Sequence, residues 1–439
     1  MTTAVRNNNK FTLISQNSPF ATLDAPMENR LFSEPARKFA RQLRATGLIT
    51  QYRIIRALIF DFLAVKSFTE VLPLLTDKKR RAEMNRRSYR LLGNMFGLQG
   101  NEEEIIAAIR DYSRTADRVI RYLQSRVMAP YAPYIEMTNE IDITSSPVDL
   151  LLIIFNKRYH KKARFEARRK LLLMYLAGSI DQRERETNIE NNFIDFLDFL
   201  NEHVWSPDLL IGELDISCLL SRHSSDNFAC QEVKVVSIEE SAALKKKRGR
   251  KITLIKRRRF SSHGRTIPVY VSIRKKPPEA KVLKLLRKGE ENPAAAVDDE
   301  LGLMAVLDSI GEVRLFQSHL TESAIKANSF MTLEDISDTL TGGRYESSNI
   351  GSSANTPMFK FFARMGGMRV EFIIHTNRTY LDYIYQRGVS HDEYEIKRLF
   401  DSGVAELLFP PDIYNLNLSD IKNNLIKTCR RNIENIESN

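Results

Sequence analysis

Ile267-Pro268-Val269-Tyr270-Val271-Ser272-Ile273 runs directly into Arg274-Lys275-Lys276-Pro277-Pro278-Glu279, and the reading of the chain turns on that junction. Ile267–Ile273 is a short run rich in β-branched residues, which predicts a strand. Side chains alternate along a strand, so Arg274 and Lys276 project from one face at its end. Pro278 can open a helix. On that helix Lys284 and Lys288 lie four residues apart and share a face. Arg supplies a planar fork and Lys a point charge, which together suit a triphosphate. The same residues also fit a solvated basic surface.

Downstream, Asp298-Asp299-Glu300-Leu301-Gly302 leads into the apolar run Leu303–Leu307, a second expected strand. A carboxylate at the entry of a buried strand suits magnesium, which takes one or two protein carboxylates and completes its shell with phosphates and water. Phe359–Arg364, Gly366-Gly367 and Val370–Ile374 give a hairpin signal. In Val370-Glu371-Phe372-Ile373-Ile374-His375-Thr376 the period of two places Glu371, Ile373 and His375 on one face. Glu371 there either meets solvent at a sheet edge or lines a site. Val233–Ile238 and Ile252–Ile255 add short strands. Thr321–Leu340 and most of Arg378–Phe400 read as helix, and Gly342–Pro357 as loop.

Upstream the texture is helical. Tyr52, Ile55, Ile59, Phe62 and Leu63 recur at helical spacing, as do Ile105, Ile109, Tyr112, Ala116, Val119 and Leu123. Asn101 with Glu104 resembles a capping box. The single Trp205 is expected in the core. The chain therefore reads as a mixed α+β or α/β protein. It has a flexible arm over 1–30, an all-helical domain over 31–225, a sheet domain flanked by helices over 226–415, and a C-terminal helix over 416–439.

The order R-x-K-x-P-E, K, D-x-x-G, V-E-x-x-x-x-T, carried by Arg274, Lys276, Pro278, Glu279, Lys284, Asp299, Gly302, Glu371 and Thr376, resembles the synthetase domain of RelA/SpoT-type alarmone synthetases, the small single-domain members above all. The likeness covers roughly 230–400. It implies a nucleotidyltransferase-like mixed sheet and transfer of pyrophosphate from ATP to a 3′-hydroxyl of a nucleotide or an RNA end. It implies that Arg274, Lys276 and Lys284 grip the ATP phosphates. Asp299 would hold Mg2+, and Glu371 would place the metal or activate the attacking hydroxyl. The chain departs from the family at Met304, Ala280 and His375, where Arg, Ser and Arg are usual. The acceptor segment G-Y-R-S-L-H has no counterpart in Gly351–Phe362, and Tyr345 or Phe359 are left as candidates to stack a base. The helical half has no His-Asp pair of the kind a hydrolase module carries.

Composition adds a second theme. The net charge of +11 comes from one segment: Lys245–Lys276 holds fourteen Lys or Arg and no acid, out of 66 basic and 55 acidic residues in all. Without it the chain is slightly acidic. Lys245, Lys246, Lys247, Arg248, Arg250, Lys256, Arg257, Arg258 and Arg259 form a basic ribbon that suits a nucleic-acid backbone. A catalytically inactive nucleotide- or RNA-binding protein, docking on RNA or a ribonucleoprotein through that ribbon, is therefore the alternative to the enzyme. A scaffold dominated by the helical half is a third reading.

Cys218, Cys230 and Cys429 are odd in number and form no C-x-x-C, which excludes a disulfide framework or a Cys-based zinc site and points to a reducing, cytoplasmic setting. Leu150–Phe155 is too short to span a bilayer, so no membrane partner is expected. The basic first thirty residues keep organelle targeting open. Oligomeric state is not legible.

Overall fold

The computed structural model describes residues 41, 44–45, 49–156, 158–206, 215–244, 247–290, 292–329, 331–343, 356–365 and 368–435. Among the described residues eight strands are formed: β1 Asp215–His223, β2 Cys230–Val236, β3 Arg250–Ser262, β4 Arg265–Lys275, β5 Leu301–Leu307, β6 Met331–Asp338, β7 Phe359–Met365 and β8 Met368–Thr376. They make one mixed sheet in the order β2-β1-β3-β4-β5-β8-β7-β6. Every neighbouring pair is antiparallel except β5 and β8.

Local chemistry explains the pairings. Ser262 pairs with Arg265 across His263-Gly264, and both turn residues have positive φ, 50° and 72°. That is the mirror-image turn whose twist matches a tight hairpin, with glycine at the position least tolerant of a side chain. Met365 pairs with Met368, so the hairpin expected at Gly366-Gly367 forms, although those two residues themselves lie outside the described ones. The parallel β5–β8 pair needs a crossover, and the helix Ile310–Lys326 supplies one together with β6 and β7.

The chain divides into two compact units that are not continuous in sequence. One comprises Met1–Arg183, Pro277–Ala296 and Arg398–Ile421; the other comprises Glu184–Lys276, Val297–Lys397 and Lys422–Asn439. The sequence-based borders at 225 and 415 differ from this division. Strand β1 begins inside the span read as helical, because Ile216, Cys218 and Leu220 alternate over too short a run to stand out from the helices before it. The span read as helix over Thr321–Leu340 ends at Lys326 and continues as β6. Thr332, Leu333 and Ile336 follow the helical stretch without an intervening Gly or Pro to mark the change.

In the second unit the sheet is two-faced. Leu301, Leu303, Ala305, Val370, Phe372 and Phe361 turn to one side and bury against Phe316 and Leu320 of Ile310–Lys326 and against Phe196 and Trp205. Trp205 stacks on Phe316 at 6.2 Å between ring centroids, so the expectation of a core tryptophan holds. Phe359 is buried in the same cluster and cannot stack a base; Tyr345 lies outside the described residues. On the opposite face Tyr380 and Leu381, from the helix Asn377–Tyr385, cover Leu219, Ile255 and Val306.

The first unit is built of helices. Asn101 and Glu104 form the expected capping box of Glu102–Tyr122. That helix buries Ile109, Tyr112, Ala116 and Val119, the residues whose spacing predicted it. The helix Pro278–Lys288 starts at Pro278 and packs against it. Among the described residues no helix is long and apolar enough to cross a membrane.

A buried polar knot ties this unit together. Glu166 and Arg169 are almost wholly enclosed. Glu166 accepts the backbone N–H and the hydroxyl of Thr138, each at 2.8 Å, and the Tyr414 hydroxyl at 2.7 Å. Arg169 donates to the Leu408 carbonyl at 2.7 Å and to the Tyr414 oxygen at 2.6 Å. Removing one member strands the other in a dry interior. Glu166→Ala should therefore cost about 3–5 kcal/mol in urea unfolding. Arg114→Ala, which breaks the exposed Asp111–Arg114 pair, should stay within about 0.5 kcal/mol.

Candidate active site on the second unit

Arg274, Gly302 and Glu371 lie in one row across three neighbouring strands. Gly302 pairs with Arg274 on β4 and with Glu371 on β8. Paired residues share a face, so the glycine leaves a gap between a cation and an acid. A Cβ at Gly302 would sit 3.1 Å from Arg274 Nε and 3.5 Å from the Glu371 carbonyl oxygen. Arg274 uses that gap: its Nη2 reaches Glu371 Oε2 at 3.0 Å.

The other side of Glu371 is filled from β7. Phe362 stands opposite Glu371, and Lys360, two residues away, shares its face. Lys360 Nζ meets Glu371 Oε1 at 2.8 Å. Each carboxylate oxygen thus has its own cation.

Lys276 lies just past the end of β4, fixed by its N–H to the Glu300 carbonyl at 3.1 Å. Its Nζ meets Asp299 Oδ1 at 2.9 Å and donates to the Asp299 carbonyl at 2.6 Å. Lys275, on the other side of the strand, pairs with Glu190 instead, as alternation requires. Lys276 feels Asp299, Glu371 and Arg274 together. Burial pulls its ammonium below the ordinary lysine range, and the two carboxylates restore only part of that. Burial alone would raise Glu371, yet Lys360, Lys276 and Arg274 outweigh it and hold the carboxyl below its ordinary value.

Arg274, Lys276, Asp299 and Glu371, singled out in the sequence, are therefore brought together. Lys284 lies on Pro278–Lys288, in the other unit, where its side chain is buried. Sequence reading missed Lys360 and two aromatic neighbours. The Phe362 ring carries the Arg369 guanidinium at 3.6 Å from its centroid and Lys360 at 5.2 Å. Tyr383 lies in the field of Arg274 and Glu371, its hydroxyl pushed up to about 12 chiefly by burial. The signal for Lys360 was present: counting back from the Gly-Gly turn with period two aligns it with Glu371's face.

The departures from the family pattern are also placed. Met304 follows Gly302 on the same face, opposite Ser272 and Ile373. His375 is fully enclosed, and burial pulls its imidazole down to about 4, offset only in part by the Pro357 carbonyl. It is neutral at neutral pH and supplies no charge for a phosphate.

Among the described residues no group of three or more His, Cys, Asp or Glu side chains is set to hold a metal. Asp299 and Glu371, coupled through Lys276, make a two-carboxylate set. Two carboxylates are the share of ligands that a protein usually gives magnesium, with phosphate and water completing the shell.

The basic ribbon is not one solvent-facing surface. Lys245 and Lys246 lie outside the described residues. Arg257 is buried and pairs with Asp308 at 2.9 Å. Arg258 sits 5.6 Å over the Trp205 ring, and Arg259 pairs with Asp215. All three make contacts within the fold, Arg257 from a buried position and Arg259 from an exposed one. Lys247, Arg248, Arg250 and Lys256 remain exposed.

Compared with known proteins, the chain matches no family model and no curated protein sequence.

The charge cluster has a pH signature. The folded protein holds Glu371 deprotonated more strongly than an unfolded chain with the ordinary value of 4.5 does. Its contribution is therefore complete above that value and is lost as pH falls below it. Urea unfolding should show stability declining from about pH 4.5 downward, and Glu371→Gln should flatten that limb. At neutral pH the same variant should lose about 1–3 kcal/mol, because it leaves cations unpaired.

Proposed function

We propose that the second unit is an alarmone-synthetase-type catalytic domain of nucleotidyltransferase-like fold, which uses ATP and Mg2+ to transfer pyrophosphate to a hydroxyl of a nucleotide or an RNA 3′ end. One observation carries the reading: Arg274, Lys276 and Lys360 converge on the carboxylates of Asp299 and Glu371 at adjoining strands. The motif order supplies the family likeness, and the convergence is what such chemistry needs.

In this reaction the acceptor oxygen bonds to the β-phosphorus of ATP. The bond from that phosphorus to the oxygen bridging the α-phosphate breaks, AMP leaves, and the hydroxyl proton is released. Charge neutralisation and positioning dominate such transfers. Here the three cations each sit in an ion pair that a polyphosphate can exchange. Arg274 offers its fork, and half of its side chain is exposed to an incoming ligand. Asp299 and Glu371 are the residues that would hold magnesium, which supplies neutralisation of the phosphate charge when bound. A carboxylate held below its ordinary value is a weak proton acceptor. Glu371 therefore acts as metal ligand and positioner of the hydroxyl rather than as general base. Phe362 and Tyr383 provide aromatic surfaces beside the cluster for a base.

A second reading has its own support. Met304 and the neutral, enclosed His375 remove two charges that the family pattern provides, which favours a protein that binds a nucleotide without transferring pyrophosphate.

The test is incubation with γ-labelled ATP, magnesium and, separately, GDP, GTP, ATP and deacylated tRNA, resolved by thin-layer chromatography. Label should appear in one acceptor. Arg274→Ala and Glu371→Gln should each lower kcat by at least about 100-fold, the scale for losing one group that stabilises transition-state charge. ATP binding by calorimetry with no labelled acceptor would support the binding protein. Neither binding nor transfer would remove both readings.

A further inference from the structure

The exposed end of the basic segment leads to a different place. Arg248 precedes Gly249, whose φ of 76° turns the chain into β3. Arg387 follows the helix Asn377–Tyr385. Lys427, Arg430 and Arg431 stand at i, i+3 and i+4 on the helix Leu418–Glu434, so they share one face. These five cations, with Glu434 and Asn435, line a groove of about 690 Å³ within the second unit. It shares no residue with the Glu371 cluster.

We propose that this groove binds the phosphodiester backbone of a nucleic-acid strand without reading its bases. Two of its arginines are fixed in place. Arg387 pairs with Glu434 and donates to the Asp226 carbonyl at 2.7 Å. Arg430 makes a two-pronged contact with Glu393, at 2.9 and 2.7 Å. Glu393 is enclosed; burial would raise it, but Arg430, Lys397 and the Gly388 N–H hold it at about 2. Arg248, Lys427 and Arg431 have no carboxylate within ion-pair distance among the described residues. The groove thus has two arginines held in ion pairs and three cations whose counterions a ligand can displace.

The chemistry of the lining selects the ligand. Its volume is far larger than one phosphate needs and lies in the range of ligand clefts. Four of the five cations are arginines, whose forks match phosphate oxygens. Cations one helical turn apart, about 5.4 Å, suit successive charges of a chain. Among the described residues no aromatic ring lines the groove, so none of them stacks a base there. Among the described residues no apolar side chain lines it either, so they offer no anchor of the kind a protein partner needs. A polyanion requires only the charge.

The test is fluorescence anisotropy of the full chain with end-labelled single-stranded RNA and DNA of one mixed sequence, across a salt series. Binding should weaken linearly on a log–log salt plot. Lys427→Glu/Arg431→Glu should weaken it at least tenfold and reduce the slope by about 1.4, or about 0.7 for each lost phosphate contact on a single strand. Lys427→Arg/Arg431→Lys should keep both affinity and slope, and Lys326→Glu, at the exposed end of the helix Ile310–Lys326, should leave them unchanged. Glu371→Gln should also leave affinity unchanged, so this proposal and the catalytic one fail separately. RNA tighter than DNA, or the reverse, identifies the strand. No binding at low salt, an unchanged slope in the folded charge-reversal variant, or tighter binding of a polyglutamate peptide would overturn the proposal.

Discussion

Glu371 is an acid set into the middle of β8, and everything around it follows from the cost of putting it there. An unpaired buried carboxylate loses several kcal/mol of hydration. The sheet answers with Arg274 from one side and Lys360 from the other, and Gly302 leaves room for Arg274 to cross. Lys276 couples this pair to Asp299. Apolar residues of similar size would stabilise a sheet at least as well. Under the proposed function, a ligand that exchanges with these ion pairs accounts for a cluster of five charged groups.

The first unit shows what a closed version of the same problem looks like. Around Glu166 and Arg169 both oxygens of the acid are matched by donors, and both side chains are sealed from water. Nothing there can exchange without unfolding the knot. In the second unit Arg274 stays half exposed. The same chemistry therefore serves packing in one unit and access in the other, and solvent exposure tells them apart.

Several elements were legible because they rest on local rules. Asn101 and Glu104 cap a helix wherever the chain goes, and Pro278 opens one. The β-branched run Ile267–Ile273 forms part of β4, and Gly366-Gly367 implied the β7–β8 hairpin. The helix-to-strand change after Lys326 was missed because no Gly or Pro marks it; Asn328, at a φ of 50°, is the residue that turns the chain. Strand β1 was hidden for a related reason: its alternation is short and follows a long helical stretch. The basic segment misled in part. Charge counting treated Arg257 as surface, whereas it is buried against Asp308; Arg258 and Arg259 make contacts with Trp205 and Asp215, and Arg259 stays exposed.

From the linear chain alone came the residue types and their periods. A cationic strand end, a D-x-x-G entry to a buried strand and an acid in an apolar run marked where charge would gather. What folding alone decided was which charges meet. Strand order and register put Gly302 between Arg274 and Glu371 and swung Lys360 into line from β7. Packing of the second unit brought the C-terminal helix beside Arg248 and Arg387. Those partners lie tens to hundreds of residues apart, and only pairing across strands and packing between elements, not any local rule of spacing, brings them within reach of one another.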